Sequence, residues 1–201
     1  MKTTILTFYF LIITLSGCNS NDDNSFTPTL PPITQTGANT FGCYIDSNLL
    51  VPRDGEGTFN SPSKGMQFWG SSDQTYNEIY VWDYKSGSES LFFRIQNLHQ
   101  NGEGSYEIKE SNCQLSSSGN PNPTVNLFCR KMNQSSQLIN LYCSIENSGI
   151  LKITRYDLVN KIVSGTFSCR AVNKDDPDDI IEITEGRFDI KWDALEEKEF
   201  P

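Results

Sequence analysis

The chain has 201 residues, with 25 acidic against 16 basic side chains and a net charge of -9. Its densest basic feature is the pair Arg130-Lys131, which excludes nucleic acid and an anionic lipid surface as charge-driven partners, since both need clustered Lys and Arg. With its polar ends set aside, the length suits one domain around a single sizeable core.

Met1 and Lys2 form a minimal positive start, and residues 5–15 are an apolar run broken by Thr7 and Thr14 and closed by Ser16 and Gly17. This is the pattern of a secretory signal over residues 1–17; roughly a dozen residues fall short of the about 20 that span a bilayer. Leu15-Ser16-Gly17-Cys18 resembles the bacterial lipobox. That resemblance implies cleavage before Cys18, diacylglycerol on its thiol and a further acyl chain on the new amino terminus. One acyl chain holds a protein marginally, at about 0.8 kcal/mol per buried CH₂, whereas two or three hold it stably. Cys18 is therefore expected to anchor the protein in the outer membrane, on its periplasmic or cell-surface face. Residues 19–24, with Asp22 and Asp23, read either as a solvated spacer or, by resemblance, as the acidic export tag of some Bacteroidota lipoproteins. Residues 18–38 are expected to be a flexible linker, because Asn, Ser, Thr, Pro and Asp cannot build a core. The β-domain is expected over 39–193, with a polar tail over 194–201.

Within that domain the apolar residues recur with period two, with Gly, Asn, Asp or Ser between runs, which is the signature of sheet. Strands are expected over 41–45, 49–52, 66–70, 76–84, 90–96, 104–108, 137–145, 150–156, 162–172, 180–183 and 187–192. The clearest sets Val163, Gly165, Phe167, Cys169 and Ala171 against Ser164, Thr166, Ser168 and Arg170, one face apolar and one wet. No stretch carries a helical stripe. The fold class is all-β: antiparallel sheets of about ten short strands, closed as a sandwich or a barrel-like structure.

Six cysteines less Cys18 leave an odd number, so at least one thiol stays unpaired or pairs with another molecule. The expected disulfide is Cys113–Cys129, closing the Ser-, Asn- and Pro-rich loop between them and stabilising the fold by about 3 kcal/mol in the chain-entropy model. Cys43, Cys143 and Cys169 each lie on the apolar face of an alternating strand and are expected to be buried small hydrophobes. No Cys-x-x-Cys supports zinc or thiol redox chemistry.

One longer stretch resembles a known group. Leu30-Pro-Pro-Ile-Thr-Gln-Thr-Gly-Ala-Asn-Thr-Phe-Gly-Cys43, followed by Tyr44-Ile-Asp46, resembles the mature N-terminus of a family of Bacteroidota lipoproteins of unknown function that opens LPPxTQTGxNTFGC. Ile162-Val-Ser-Gly-Thr-Phe-Ser168 and Ile183-Thr-Glu-Gly-Arg-Phe-Asp-Ile190 extend the likeness to the other end of the domain. The resemblance implies an envelope location and β architecture, and it supplies no catalytic residues.

Catalytic patterns are lacking. His99 is the single histidine, in a turn-like segment with no Gly-x-Ser-x-Gly elbow to serve, and it reads as an exposed loop residue. Residues 175–179 gather four carboxylates around Pro177 without the spaced ligands and glycine of a calcium loop, as a solvated hairpin tip does. No metal or cofactor is expected. The most suggestive feature is aromatic: Tyr80, Trp82 and Tyr84 share one face of a strand, with Phe92 on the next. Such a row either stacks on a sugar ring or another flat ligand or forms the core of a second layer. The expected function is a lipid-anchored envelope module that binds a glycan or an envelope protein. The alternatives are a carboxylate-dependent polysaccharide hydrolase and a structural component.

Overall fold

The computed structural model describes residues 26–58, 63–71, 73–86, 89–119, 121–133 and 136–201. The signal segment, Cys18 and the acidic spacer lie outside them. The alternating segments form eleven strands: β1 (Thr40–Ile45), β2 (Asn48–Leu50), β3 (Met66–Gly70), β4 (Tyr76–Asp83), β5 (Glu89–Gln96), β6 (Gly104–Ile108), β7 (Asn126–Met132), β8 (Ile139–Ser144), β9 (Gly149–Asp157), β10 (Ile162–Asn173) and β11 (Asp176–Lys191). A one-turn helix α1 (Leu98–Asn101) follows β5.

All the strands belong to one antiparallel sheet, in the order β2-β1-β11-β10-β8-β7-β5-β4-β3, curled into a half-barrel. The sheet forks at β10. Its first half pairs with β9, which carries β6, and its end pairs with β8. Just beyond β2 the chain returns to the other extreme of the sheet, where Arg53 bridges Asp83 and grips its carboxylate with two bonds of 2.6 and 2.7 Å. The concave side encloses the main core, built from Phe41, Ile45, Phe93, Leu127, Phe167, Ile183 and Phe188 among others. A smaller cluster of Phe92, Phe128, Cys113 and Cys143 lies on the convex side.

Two elements differ from the sequence expectation. The segments 180–183 and 187–192 are one strand, β11. Ile181 and Ile183 face the core, and so do Phe188 and Ile190, although an odd step separates the two pairs and a regular strand would turn one pair outward. The ladder absorbs the step as a bulge: Phe167 pairs with Gly186 and Cys169 with Ile183, with Glu185 at φ 51°. Gly186 is needed there, since a Cβ would come within 2.6 Å of the Phe167 ring. The second difference is β7, which sequence patterning merges into the preceding loop. Leu127, Phe128 and Cys129 are all buried, because β7 has core on both faces and its alternation is hidden.

That same strand corrects the disulfide. The bond joins Cys113 to Cys143, and Cys129 keeps a free thiol. Cys129 lies in the main core, whereas Cys143 pairs opposite Phe128 and points outward with it. The loop carrying Cys113 crosses the convex face and can meet only Cys143. The reading of Cys143 as a buried unpaired hydrophobe is overturned with it; Cys43 and Cys169 are buried free thiols. Burial pushes the Cys169 thiol up to about 12, so it stays protonated and inert at neutral pH. Closing the 30-residue span stabilises the fold by roughly 3–4 kcal/mol in the chain-entropy model.

The ends are more ordered than their composition suggests. The expected linker is already docked at Thr34. Asp189, 1% exposed, accepts hydrogen bonds from Thr34 Oγ1 (2.7 Å), Thr36 N (2.9 Å), Gly37 N (2.8 Å), Ala38 N (3.1 Å) and Ser164 Oγ (2.7 Å). Burial alone would raise its pKa, but these bonds outweigh burial and hold the carboxyl at about 2. Gly37 sits at φ +76°, and a Cβ there would lie 2.8 Å from that of Lys191. The residues Thr34-Gln-Thr-Gly-Ala38 are thus a cradle for one carboxylate. At the other end, Leu195 and Phe200 are buried in the main core, and Phe200 N donates to Asp54 at 3.0 Å, so residues 194–201 are not a free tail.

Two outcomes follow from these contacts. Asp189→Asn should lower the stability measured by urea unfolding at pH 7 by on the order of 2 kcal/mol and expose the amides of Thr36, Gly37 and Ala38 to hydrogen exchange. Because the folded pKa is depressed, the contribution is full above about pH 4 and is lost as the pH falls through about 2. An unchanged midpoint with retained protection counts against the cradle. Non-reducing peptide mapping should recover Cys113 linked to Cys143, with Cys129 alkylated only after denaturation; a Cys113–Cys129 peptide refutes the assignment.

Candidate functional site

The aromatic row expected from sequence is present on the convex face, but its rings pack on one another. Tyr80 and Trp82 lie 5.6 Å apart with planes 20° from parallel, and Trp82 and Tyr84 lie 6.2 Å apart at 18°. Phe92 meets both Tyr80 and Trp82 edge-on at 5.3 and 5.5 Å and stacks on Phe128 at 4.7 Å. Leu115, on the loop held by the Cys113–Cys143 bond, packs against the same cluster. Phe92 is 6% exposed and Leu115 covers the same cluster, so Tyr80, Trp82 and Phe92 act as a second core layer. Tyr84, at the end of the row, is 41% exposed.

Beside the row, Glu78 is fully engaged. It accepts from the Tyr80 hydroxyl and the Ser116 hydroxyl and pairs with Arg94 at 3.1 Å. Arg94 in turn lies 3.6 Å over the Tyr76 ring. Burial, then the bond to Glu78, pushes the Tyr80 phenol well above its usual range, leaving it a neutral donor. The cavity among these side chains measures about 10 Å³, space for a single water.

Other carboxylates are spoken for as well. Asp83 is held by Arg53 and by the backbone amides of Lys85 and Ser86, both at 3.0 Å. Its strand neighbour Glu89 has a raised pKa, first from burial and then partly from Asp83, yet neither lines any of the clefts described here. At the acidic hairpin, Asp179 braces Tyr142 Oη (2.8 Å) and Asn173 Nδ2 (2.9 Å), while Asp175, Asp176 and Asp178 are exposed. Among the described residues no group of three or more His, Cys, Asp or Glu is placed to hold a metal ion.

A second aromatic group, not singled out from sequence, lies at the open rim of the half-barrel. Trp192 continues the inward alternation of Phe188 and Ile190, but it falls one residue past β11 and so emerges at the rim. Phe68 of β3 stacks on it at 5.6 Å and 29°, and Tyr156 of β9 at 6.0 Å and 27°. Tyr156 faces inward because β9 is bulged: Ser164 pairs with Arg155 and Gly165 with Ile153, stepping over Thr154. Lys161 Nζ lies 6.0 Å from the Trp192 ring centre, and His99 of α1 approaches Tyr156, its Nδ1 3.5 Å from the hydroxyl. His99 is exposed, as expected, and it borders this site.

Two clefts flank the Phe68–Trp192 pair and share both rings as walls. One, of about 440 Å³, is bordered further by Lys64, Gln67, Trp69 and Glu196. The other, of about 400 Å³, is bordered by Gln74, Asn77, His99, Tyr156 and Lys161. Trp69 is 55% exposed. Aromatic faces ringed by amide, ammonium and imidazole groups suit a ligand with apolar ring faces and hydroxyl edges. Glu196 is the single carboxylate among these wall residues, so the clefts lack the paired acids of glycoside hydrolysis. No local motif announces the site, because its side chains come from β3, α1, β9, the β9–β10 turn and the end of β11. A signal did exist in the two rim tryptophans, Trp69 and Trp192, each at the end of an alternating strand.

No protein-family model, curated protein or solved structure matches this chain.

Proposed function

We propose that the protein is a binding module of the bacterial cell envelope, lipidated on Cys18, that holds a glycan at the rim of its half-barrel without altering it chemically. The observation that carries this reading is the rim itself: two clefts of ligand size sharing a stacked aromatic wall, with polar groups suited to hydroxyls. The hydrolase alternative draws less support, since Glu78, Asp83 and Asp189 are each consumed by structural partners. The purely structural alternative leaves the rim clefts without a purpose. Attachment outside the cytoplasm draws on the signal-like residues 1–17, the Leu-Ser-Gly-Cys18 sequence and the resemblance of residues 30–43 to the Bacteroidota lipoproteins. The Cys113–Cys143 disulfide fits an oxidising compartment.

Affinity electrophoresis of the folded domain through gels containing plant and bacterial polysaccharides should show retardation by at least one of them. Trp192→Ala should weaken it roughly ten-fold or more, because the substitution removes the aromatic wall that both clefts share. Phe92→Leu, in the convex layer, should leave retardation intact. Release of reducing ends from a retarding polysaccharide would favour the hydrolase, and no retardation by any would sink the binding reading. For the anchor, cells fed a palmitate analogue should label the wild type and not Cys18→Ala; an unlabelled wild type overturns the tether.

A further inference from the structure

We infer that the rim takes an extended oligosaccharide that lies across both clefts, not a single sugar held in one of them; this rests on the binding reading above. Phe68 and Trp192 wall the cleft of about 440 Å³ and the cleft of about 400 Å³ alike, so the stacked pair stands between two adjoining spaces. Each cleft has its own polar complement beyond the shared rings. Gln67, Lys64 and Glu196 serve the first, and Gln74, Asn77, His99 and Lys161 serve the second. Beside the shared rings, Trp69 borders the first cleft and Tyr156 the second. Two adjoining clefts, each with aromatic and polar walls, match a ligand built of repeated rings with hydroxyl edges.

The course of the N-terminal segment leaves this path clear. Pro31 lies against Gly42 and its carbonyl accepts from Arg187 Nη1 at 3.4 Å, while Gly37 lies against Ile162 and Lys191. From Pro31 to Gly37 the chain therefore climbs along β11 toward the rim. Followed back from Gly37 to Pro31, it runs away from the clefts.

The test uses ladders from single sugars to hexamers derived from amylose, cellulose, laminarin, mannan, xylan and polygalacturonate, titrated calorimetrically into the purified protein. For the ladder that binds, the hexamer should bind roughly ten-fold or more tightly than the dimer. Trp69→Ala in the first cleft and His99→Ala in the second, both exposed side chains whose loss spares the core, should each weaken hexamer binding several-fold. The double variant should hold the hexamer no better than the wild type holds the dimer. Affinity that plateaus at the single sugar or dimer, or an effect of only one of the two substitutions, overturns the spanning inference and leaves glycan binding standing. Binding to none of the ladders overturns both.

Discussion

A sheet that curls on itself must keep the same set of side chains inside along every strand, and this structure depends on how that parity is maintained. β11 is the test case, since it pairs with β1 on one side and β10 on the other. Its apolar residues change from odd to even positions at Glu185. Without the bulge, either Ile181 and Ile183 or Phe188 and Ile190 would turn to solvent. At about 25 cal/mol per Å² of apolar area the loss for a pair of such side chains is several kcal/mol, comparable to a domain's whole net stability. A strained residue at positive φ and a glycine under the Phe167 ring cost less than that.

The same parity explains the second layer. Where the sheet runs β4-β5-β7-β8, the outward positions are Tyr80, Phe92, Phe128 and Cys143, in register across four strands. An apolar stripe of this kind must be covered, and the loop between β6 and β7 supplies the cover, pinned by the disulfide and by the bonds of Ser116 to Glu78 and Arg94. The aromatic row is therefore spent on stability. At the rim, inward-facing aromatics run out of barrel to fill and remain half-exposed.

Asp189 ties the two themes together. Its carboxylate is buried beside the β10–β11 ladder, and a buried charge is tolerable only when hydrogen-bonded. Apart from Ser164, the residues that satisfy it come from the segment before β1, so a stretch with linker composition becomes part of the wall. This gives the segment a physical role: Thr34, Thr36 and Gly37 supply donors, and Gly37 the backbone conformation that aims them.

Much of the fold was legible in the sequence. Period-two alternation in β1, β4, β10 and the end of β11 requires half-buried strands, and the absence of any helical stripe leaves antiparallel sheet. The aromatic residues of β4 were correctly placed on one face, since that depends only on spacing along one strand. The tertiary structure alone decided which face was covered and by what, because covering is done by distant segments. It decided Cys143 over Cys129 because a partner must lie on the same side of the sheet, and β7, apolar on both faces, conceals its side in sequence. It alone assembled Phe68, His99, Tyr156, Lys161 and Trp192, since a groove at the rim is made where strands end, and alternation along a strand carries no information about what its last residue will meet.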